Sequence, residues 1–99
     1  MAVLMENDVT QGSTEIYDAV AEKLEIEGNP PTGMIAHAAI DRGEGGMRIV
    51  DVWESQQDFE TFRDERLFPA IQSVMQEKGV EMEGPPSYEF SEIHHFVKP

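Results

Sequence analysis

A glycine-rich loop between two apolar runs constrains the fold of this chain more than any other feature. The loop, Asp-Arg-Gly-Glu-Gly-Gly, occupies residues 41–46 and separates the apolar runs at residues 33–40 and 47–54. Two short apolar runs joined by such a loop are typical of an antiparallel β-hairpin. Both runs are apolar on both faces, whereas a strand with one face in water alternates apolar with polar residues. We therefore expect both faces of this hairpin to be covered.

Ahead of the hairpin, the sequence predicts a strand followed by a helix. Residues 2–9 are compatible with a strand, and Ser13 is suited to cap the helix that follows. Apolar residues then recur at helical spacing over residues 16–24 and give the helix one apolar face. We expect the helix to end near Glu27, because the Gly-Asn-Pro-Pro sequence that follows cannot continue it.

After the hairpin, the sequence predicts a second helix and a last strand. Ser55 opens a Ser-Gln-Gln-Asp sequence of the capping-box type, and Phe59 and Phe62 begin an amphipathic helix. Pro69 is expected to break or kink this helix, because proline lacks the amide donor and clashes with the preceding turn. Residues 88–97 are rich in aromatic residues and predict the last strand.

The order of elements, β-α-β-β-α-β, predicts the fold class. It indicates one α+β domain over residues 1–99 with a ferredoxin-like fold, in which a four-stranded antiparallel sheet carries both helices on one face. The two helices leave the other face of the apolar hairpin uncovered. A second copy of the same sheet is the simplest cover, so we expect a homodimer.

The composition argues against several partners and locations. Twenty acidic and seven basic side chains give a net charge of −13, which repels phosphate backbones and anionic lipids, so neither nucleic acid nor membrane is an expected partner. The chain has no cysteine, which excludes disulfides, thiolate nucleophiles and iron–sulfur ligation. No apolar run approaches the roughly 20 residues that span a bilayer. The N-terminal residues are too acidic for a signal peptide, and a cytoplasmic location is expected.

His37 is the most informative of the three histidines, because it interrupts an apolar strand. Counting outward from the centre of the loop places His37 opposite Asp51 and Ile35 opposite Trp53, all on one face of the sheet. A carboxylate beside an imidazole fixes its tautomer and stabilises its cation, as a general base requires. A shift of register by one residue would separate the pair. The same pair is also compatible with a purely structural role in the sheet.

Three other side chains are candidates for shaping a ligand cavity. The amide of Asn7 has the chemistry to orient a carbonyl, or else to make a hydrogen bond at a strand edge. Trp53 either lines the cavity or belongs to the core, where its indole N–H needs a partner. His94 shares one side of the last strand with a row of aromatic residues. Its neighbour His95 points to the opposite side, so the two do not chelate one metal, and no metal site is predicted.

Several of these residues carry a resemblance to a known group of proteins. The order of elements, the sequence Val-Trp-Glu-Ser at residues 52–55, and Phe59 and Phe62 at the start of the next helix resemble the dimeric α+β barrel superfamily. Within it, the chain is most similar to the antibiotic-biosynthesis-monooxygenase-like domains, and the resemblance covers the whole chain. It implies a ferredoxin-like homodimer. The superfamily contains cofactor-free monooxygenases, haem-degrading enzymes, isomerases, cyclases and members without known chemistry.

The haem-degrading branch of this superfamily provides a test of the cofactor. Those enzymes have an asparagine late in the first strand, and Asn7 stands at the matching position. They also have a tryptophan and an iron-ligating histidine in the second helix, where this chain has Phe62 and Gln72. Without the axial histidine the iron loses its anchor, so no cofactor is expected.

Two functional hypotheses follow. The first is a cofactor-free monooxygenase, isomerase or cyclase that binds a small apolar or aromatic molecule between sheet and helices, with His37 as general acid or base oriented by Asp51. The candidate substrate-binding residues are Asn7, Trp53, His94 and Phe62. The alternative is a non-enzymatic dimeric binding or interaction module in which His37 and Asp51 form a structural pair.

Overall fold

The computed structural model describes residues 2–9, 14–43, 46–80 and 87–97. Its elements in chain order are β1 (Val3–Val9), α1 (Thr14–Leu24), β2 (Met34–Gly43), β3 (Gly46–Trp53), α2 (Gln56–Phe62), a π-helical segment (Arg63–Leu67), α3 (Phe68–Lys78) and β4 (Glu89–Glu92). The predicted cap at Ser13 lies outside the described residues.

The four strands form one antiparallel sheet in the order β2-β3-β1-β4. The helices pack on one face of it, which we call the inner face, and α1 also contacts α3. This arrangement is the ferredoxin-like α+β fold that the sequence predicts. The core forms because the apolar side of each helix packs on every second residue of the central strands, which are the residues that point to the inner face.

The register of the hairpin is confirmed from Ala36 to Asp41, and His37 is paired with Asp51. The expectation for Ile35 is wrong, because Met34 rather than Ile35 is opposite Trp53. A β-bulge between Met34 and Ala36 accounts for the difference. One extra residue on β2 is placed against its partner strand there, which shifts the pairing by one position.

Aromatic side chains form the centre of the core. Trp53 and Phe59 have no exposed surface, and their rings meet edge to face with centroids 5.6 Å apart. Phe62 lies against the other side of Trp53, while Tyr88 and Phe90 contact Phe59. The alternative that Trp53 is a core residue is therefore confirmed, and Phe62 belongs to the same core cluster.

The second helical region begins as the capping sequence predicts but is not broken by its proline. Ser55 Oγ accepts a hydrogen bond from the backbone N–H of Asp58 at 3.1 Å, and the helix starts at Gln56. Pro69 lies in the first turn of α3, directly after the π-helical segment. A proline leaves a carbonyl of the preceding turn without its donor, and the wider π-helical turn lets the chain stay helical past it.

Two predicted ends differ from the structure. Helix α1 ends at Leu24 rather than near Glu27, because Glu25 adopts a left-handed φ of 51°. Strand β4 covers only Glu89–Glu92 instead of residues 88–97. Its partner β1 begins at Val3, which pairs with Glu92, and among the described residues the pairing ends with one more hydrogen bond, from Ile93 N–H to the backbone oxygen of Ala2 at 3.0 Å.

The other face of the sheet, which we call the outer face, carries apolar side chains that neither helix covers. Ile40 is 46% exposed, and Ala36 and Ala38 beside it are exposed as well. The remaining apolar members of this face are Leu4, Val50 and Val52. An uncovered apolar face of this kind is the reason for the expected homodimer.

The described helices contain no stretch long and apolar enough to cross a membrane. A cytoplasmic location stays a prediction from the sequence.

We expect Phe59→Ala to lower the free energy of unfolding by about 3–5 kcal/mol, because it removes a fully buried ring from the aromatic core. Urea unfolding followed by circular dichroism measures the change. Phe68→Ala is the matched control, since Phe68 is 37% exposed, and we expect it to cost less than about 1 kcal/mol. Equal losses in the two variants would contradict the core described above.

Candidate functional site

Four side chains on the inner face form a continuous chain of hydrogen bonds. Tyr17 Oη lies 2.6 Å from His37 Nε2, and His37 Nδ1 lies 2.6 Å from Asp51 Oδ1. Trp53 Nε1 donates to the other carboxylate oxygen, Asp51 Oδ2, at 3.1 Å. We call this set of Tyr17, His37, Asp51 and Trp53 the polar chain.

The fold explains why these four side chains meet. His37 and Asp51 are cross-strand partners of the hairpin, and Trp53 lies two residues beyond Asp51, so all three point to the inner face. Tyr17 comes from the first half of α1, which covers this face. Three members of the polar chain are thus fixed by sheet register, and the fourth by the packing of a helix.

The donors and acceptors assign the protons. Trp53 Nε1 only donates, and an ionised Asp51 only accepts, so Asp51 also accepts from His37 Nδ1–H. In the neutral imidazole the remaining lone pair is then on Nε2, which accepts the hydroxyl proton of Tyr17. The polar chain therefore presents one basic atom, His37 Nε2.

The rings of Tyr17 and His37 meet edge to edge. Their planes differ by only 8° and their centroids are 6.2 Å apart. The phenol oxygen and Nε2 each lie in the plane of their own ring, and they are 2.6 Å apart. In face-to-face stacking of nearly parallel rings, the atoms of one ring would lie farther than 2.6 Å from those of the other, so the two rings are not stacked face to face. The hydroxyl therefore approaches Nε2 close to the imidazole plane, where its lone pair points.

Solvent exposure is higher at the Tyr17–His37 end of the polar chain than at its Asp51–Trp53 end. The side chain of Asp51 is 4% exposed and that of His37 is 22% exposed. Trp53 is sealed in the core, whereas Tyr17 is half-buried. A bound molecule therefore reaches the polar chain at its Tyr17–His37 end and not at its carboxylate.

Burial also affects the two tyrosines of the chain. It is the main reason why the pKa of Tyr17 is raised, and the negative charges of Asp51 and Asp18 add to the increase. Burial likewise raises the pKa of Tyr88 to about 12, with Arg63 opposing the change and Asp51 supporting it. Both phenols keep their protons at neutral pH, so Tyr17 acts as a hydrogen-bond donor to His37.

The structure brings together only some of the residues that the sequence singles out. Asn7 is buried on the inner face, and its Nδ2 donates to the backbone oxygen of Ser87 at 2.7 Å. Phe62 lies in the core. His94 is exposed beyond the end of β4, and its role in shaping a cavity stays a prediction.

Tyr17 is the member of the polar chain that sequence reasoning did not identify. It stands next to Ile16 at the edge of the apolar face of α1, where a tyrosine is easily taken for a boundary residue. A weak signal was present, since a half-buried tyrosine on a helix needs a partner for its hydroxyl. Only the packing of α1 on the sheet reveals that the partner is His37.

The described residues do not fit the haem site of the haem-degrading enzymes. The position of the iron-ligating histidine holds Gln72, which is exposed, and Phe62 packs within the core. Asn7 is engaged with the backbone. Across the part of the chain that the structure describes, no three histidine or carboxylate side chains are grouped as metal ligands.

The chain has the ferredoxin-like α+β fold found in solved structures of antibiotic-biosynthesis-monooxygenase-like proteins. A proposed antibiotic biosynthesis monooxygenase from Caulobacter crescentus is 14% identical with a TM-score of 0.65, and the match covers 95% of this chain and 91% of that one. SnoaB, a cofactor-independent oxygenase from Streptomyces nogalater, is 8% identical with a TM-score of 0.63, over 99% and 97% of the two chains.

A protein of unknown function from Nitrosomonas europaea is 16% identical with a TM-score of 0.63, and the match covers 99% of this chain and 92% of that one. No family model and no curated protein matches the sequence. At these identities the likeness shows the fold. The resemblance inferred from the sequence is confirmed at that level.

We expect Tyr17→Phe to leave a single phenol, because the chain has only two tyrosines. Its phenolate absorbance should appear with a midpoint near the value of about 12 given by the burial of Tyr88. The folded chain holds this proton more tightly than the unfolded chain, in which tyrosine titrates near pH 10. Its contribution to stability is therefore complete below about pH 10 and is lost as the pH rises through the folded pKa.

Circular dichroism of the same samples shows whether the chain is still folded during this titration. Tyr88→Phe is the matched variant and reports Tyr17 alone. A phenolate that appears at the ordinary tyrosine pKa in folded Tyr17→Phe would contradict the burial of Tyr88.

Proposed function

We propose that this protein is a cofactor-free enzyme that transfers a proton on a small apolar or aromatic molecule, with His37 as the general acid or base. The observation that carries the proposal is the pair of contacts made by His37. Its Nδ1 is held by the buried Asp51 carboxylate, while its Nε2 is directed to the partly exposed end of the polar chain. This arrangement fixes the tautomer and places the one basic atom, which is in contact with Tyr17, at the partly exposed end of the polar chain.

The chemistry begins with proton abstraction. His37 Nε2 takes a proton from an acidic C–H or O–H group, a new N–H bond forms, and the electron pair of the broken bond stays on the substrate. The imidazolium is then stabilised by Asp51, which is 2.6 Å from Nδ1 and is itself held by Trp53. General-base catalysis of this kind contributes about 100- to 10,000-fold in rate.

The fate of the substrate anion decides the reaction class. Returning the proton to another carbon gives an isomerase, and attack of the anion on an internal electrophile gives a cyclase. If dioxygen is the co-reactant, two electrons pass from the carbon to oxygen to form a hydroperoxide. Loss of water from it then leaves a carbonyl. SnoaB, which is described as a cofactor-independent oxygenase and has a similar fold, supports the third route.

Trp53 and Phe62 pack together in the core beside Asp51 and support the polar chain from the side that a ligand does not reach. In this proposal Trp53 positions Asp51 through its indole N–H, and Asn7 fixes the segment before β4 through Ser87. Neither needs to touch the reacting atoms.

One observation favours the alternative, a binding module in which His37 and Asp51 are a structural pair. Each polar group of the polar chain already has a partner within the protein. A buried carboxylate that loses its partner destabilises a protein strongly, so His37 has a structural task in any case. The experiment must therefore remove the base without leaving Asp51 unpaired.

We also propose that two copies pair through the outer face. Its apolar residues are exposed on the edge strand β2, and on the same face Arg48 of β3 makes a two-point contact with Asp8 of β1, at 2.8 and 3.2 Å. The exposed apolar side chains favour contact between copies, and this ion pair leaves neither of its two charges unpaired at the surface.

We expect His37→Asn to lower turnover about 100- to 10,000-fold with little loss of stability. The asparagine amide retains an N–H donor near the position of Nδ1 for Asp51 but has no counterpart of Nε2. The assay exposes phenols, anthrones and 1,3-diketones to the protein in heavy water. Deuterium uptake at carbon is followed by mass spectrometry, and oxygen consumption is recorded in parallel.

His95→Ala is the matched control, because His95 is exposed, lies after the end of β4 and is not among the candidate site residues. We expect wild-type rates from it. Unchanged deuterium uptake in a folded His37→Asn variant would show that His37 is not the base.

We expect Ile40→Lys to convert a dimer to a monomer, since it places a charge at the most exposed apolar position of the outer face. Sedimentation velocity at several concentrations measures the mass. Val97→Lys is the control, because Val97 is more exposed still but lies after β4 has ended. A wild-type protein that sediments as a monomer would contradict the proposed pairing.

A further inference from the structure

The base of the proposed reaction is already occupied in this structure. His37 has two ring nitrogens, and Asp51 holds one of them. The other, Nε2, accepts the hydroxyl of Tyr17 at 2.6 Å. A substrate that gives its proton to Nε2 must first replace Tyr17 at that atom.

The contact shows what kind of group fits Nε2. The planes of the Tyr17 phenol and the imidazole are nearly parallel, at 8°, and the phenol oxygen meets Nε2 at the edge of the imidazole ring. A flat molecule carrying a hydroxyl in its own plane makes the same contact. Ala39 follows His37 on the inner face of β2, and it is small and exposed. The strand therefore offers room beside the imidazole.

The two ends of the polar chain differ in how easily they move. Trp53 is fully buried and Asp51 nearly so, and displacing either would open the core. Tyr17 is half-buried, and rotation about its side-chain bonds moves its hydroxyl away from Nε2 without changing the sheet. Exchange of one hydroxyl donor for another leaves Nε2 paired throughout, so the exchange costs little in hydrogen-bond energy.

We propose that Tyr17 is an internal ligand of His37, and that the external ligand which displaces it is a phenol or enol bound through its hydroxyl group. The inference rests on the proposed function, because it concerns the same basic atom. It adds a substrate class and a means of regulation. Tyr17 occupies Nε2 when no ligand is bound, and a competing planar hydroxyl donor takes its place.

A consequence for selectivity follows from the chemistry of the contact. Tyr17 is a weak acid in this site, because burial and nearby carboxylates oppose its ionisation. A more acidic hydroxyl donates a stronger hydrogen bond to the same nitrogen. Enols and phenols with electron-withdrawing groups should therefore compete with Tyr17 better than alkyl phenols do.

The test uses p-cresol, which is the side chain of tyrosine as a free molecule, and toluene, which lacks its hydroxyl. Binding of each is measured by NMR titration, with the ring signals of Tyr17 and the nitrogen shifts of His37 as reporters. The variants are Tyr17→Phe, which keeps the ring but removes the competing hydroxyl, and His37→Asn, which removes Nε2. Tyr88→Phe is the matched control.

We expect Tyr17→Phe to bind p-cresol roughly 2- to 10-fold more tightly than the wild type, the gain that corresponds to one lost competing hydrogen bond. Toluene should show no such gain, and Tyr88→Phe should behave as the wild type. In His37→Asn, p-cresol should bind no more tightly than toluene. In the wild type, p-cresol should shift the Tyr17 ring signals and His37 Nε2 together.

Equal affinity of p-cresol for Tyr17→Phe and the wild type would overturn the inference, and so would a gain shared by toluene or the absence of binding to every variant. These outcomes are distinct from a failure of the proposed function, which is read from deuterium uptake. If p-cresol binding changes as expected but no substrate exchanges its carbon-bound proton, the inference about Tyr17 is supported and the proposed enzymatic function is contradicted. If exchange depends on His37 but p-cresol binding is the same with and without the Tyr17 hydroxyl, the proposed function is supported and the inference about Tyr17 is contradicted.

Discussion

The carboxylate of Asp51 lies on the inner face of the sheet, where an ion taken out of water costs several kcal/mol unless hydrogen bonds replace the lost solvent. Two donors meet this need from opposite sides, the indole of Trp53 and the imidazole of His37. Satisfying the carboxylate fixes a tryptophan rotamer at the centre of the core and a histidine tautomer at its margin. Core packing and site chemistry therefore depend on the same buried charge.

The hairpin shows how far the sequence determines this arrangement. Counting outward from the centre of the glycine loop was enough to set His37 opposite Asp51, because the centre of a hairpin loop determines which residues of the two strands are paired. The same counting failed at Ile35, since a bulge leaves no mark in a run that is apolar on both faces. The end of β4 was missed for a related reason. The aromatic pattern continues past Glu92, but strand pairing needs a neighbour, and β1 begins at Val3.

The role of Tyr17 could not be predicted from the sequence, because it depends on how α1 packs on the sheet. Helical periodicity identifies the apolar side of α1 but not the strand residue beneath a given position. The hydroxyl of Tyr17 meets His37 only after both elements are in place. The position of His37 and Asp51 in the site is thus set locally by the hairpin register, whereas that of Tyr17 is set by tertiary packing of α1 on the sheet. In our proposal Tyr17 is also the residue that moves.

The π-helical segment before α3 has a consequence for how this chain can change in length. A wide turn holds one residue more than an α-helix of the same rise, and each residue of a helix corresponds to about 100° of rotation. Loss of one residue between Arg63 and Leu67 would restore an ordinary α-helix and leave the residues on either side on the same faces, because the wide turn absorbs the extra residue. The buried Val74 of α3 would then stay packed. Related chains that differ by one residue within this helical region should therefore differ at this turn.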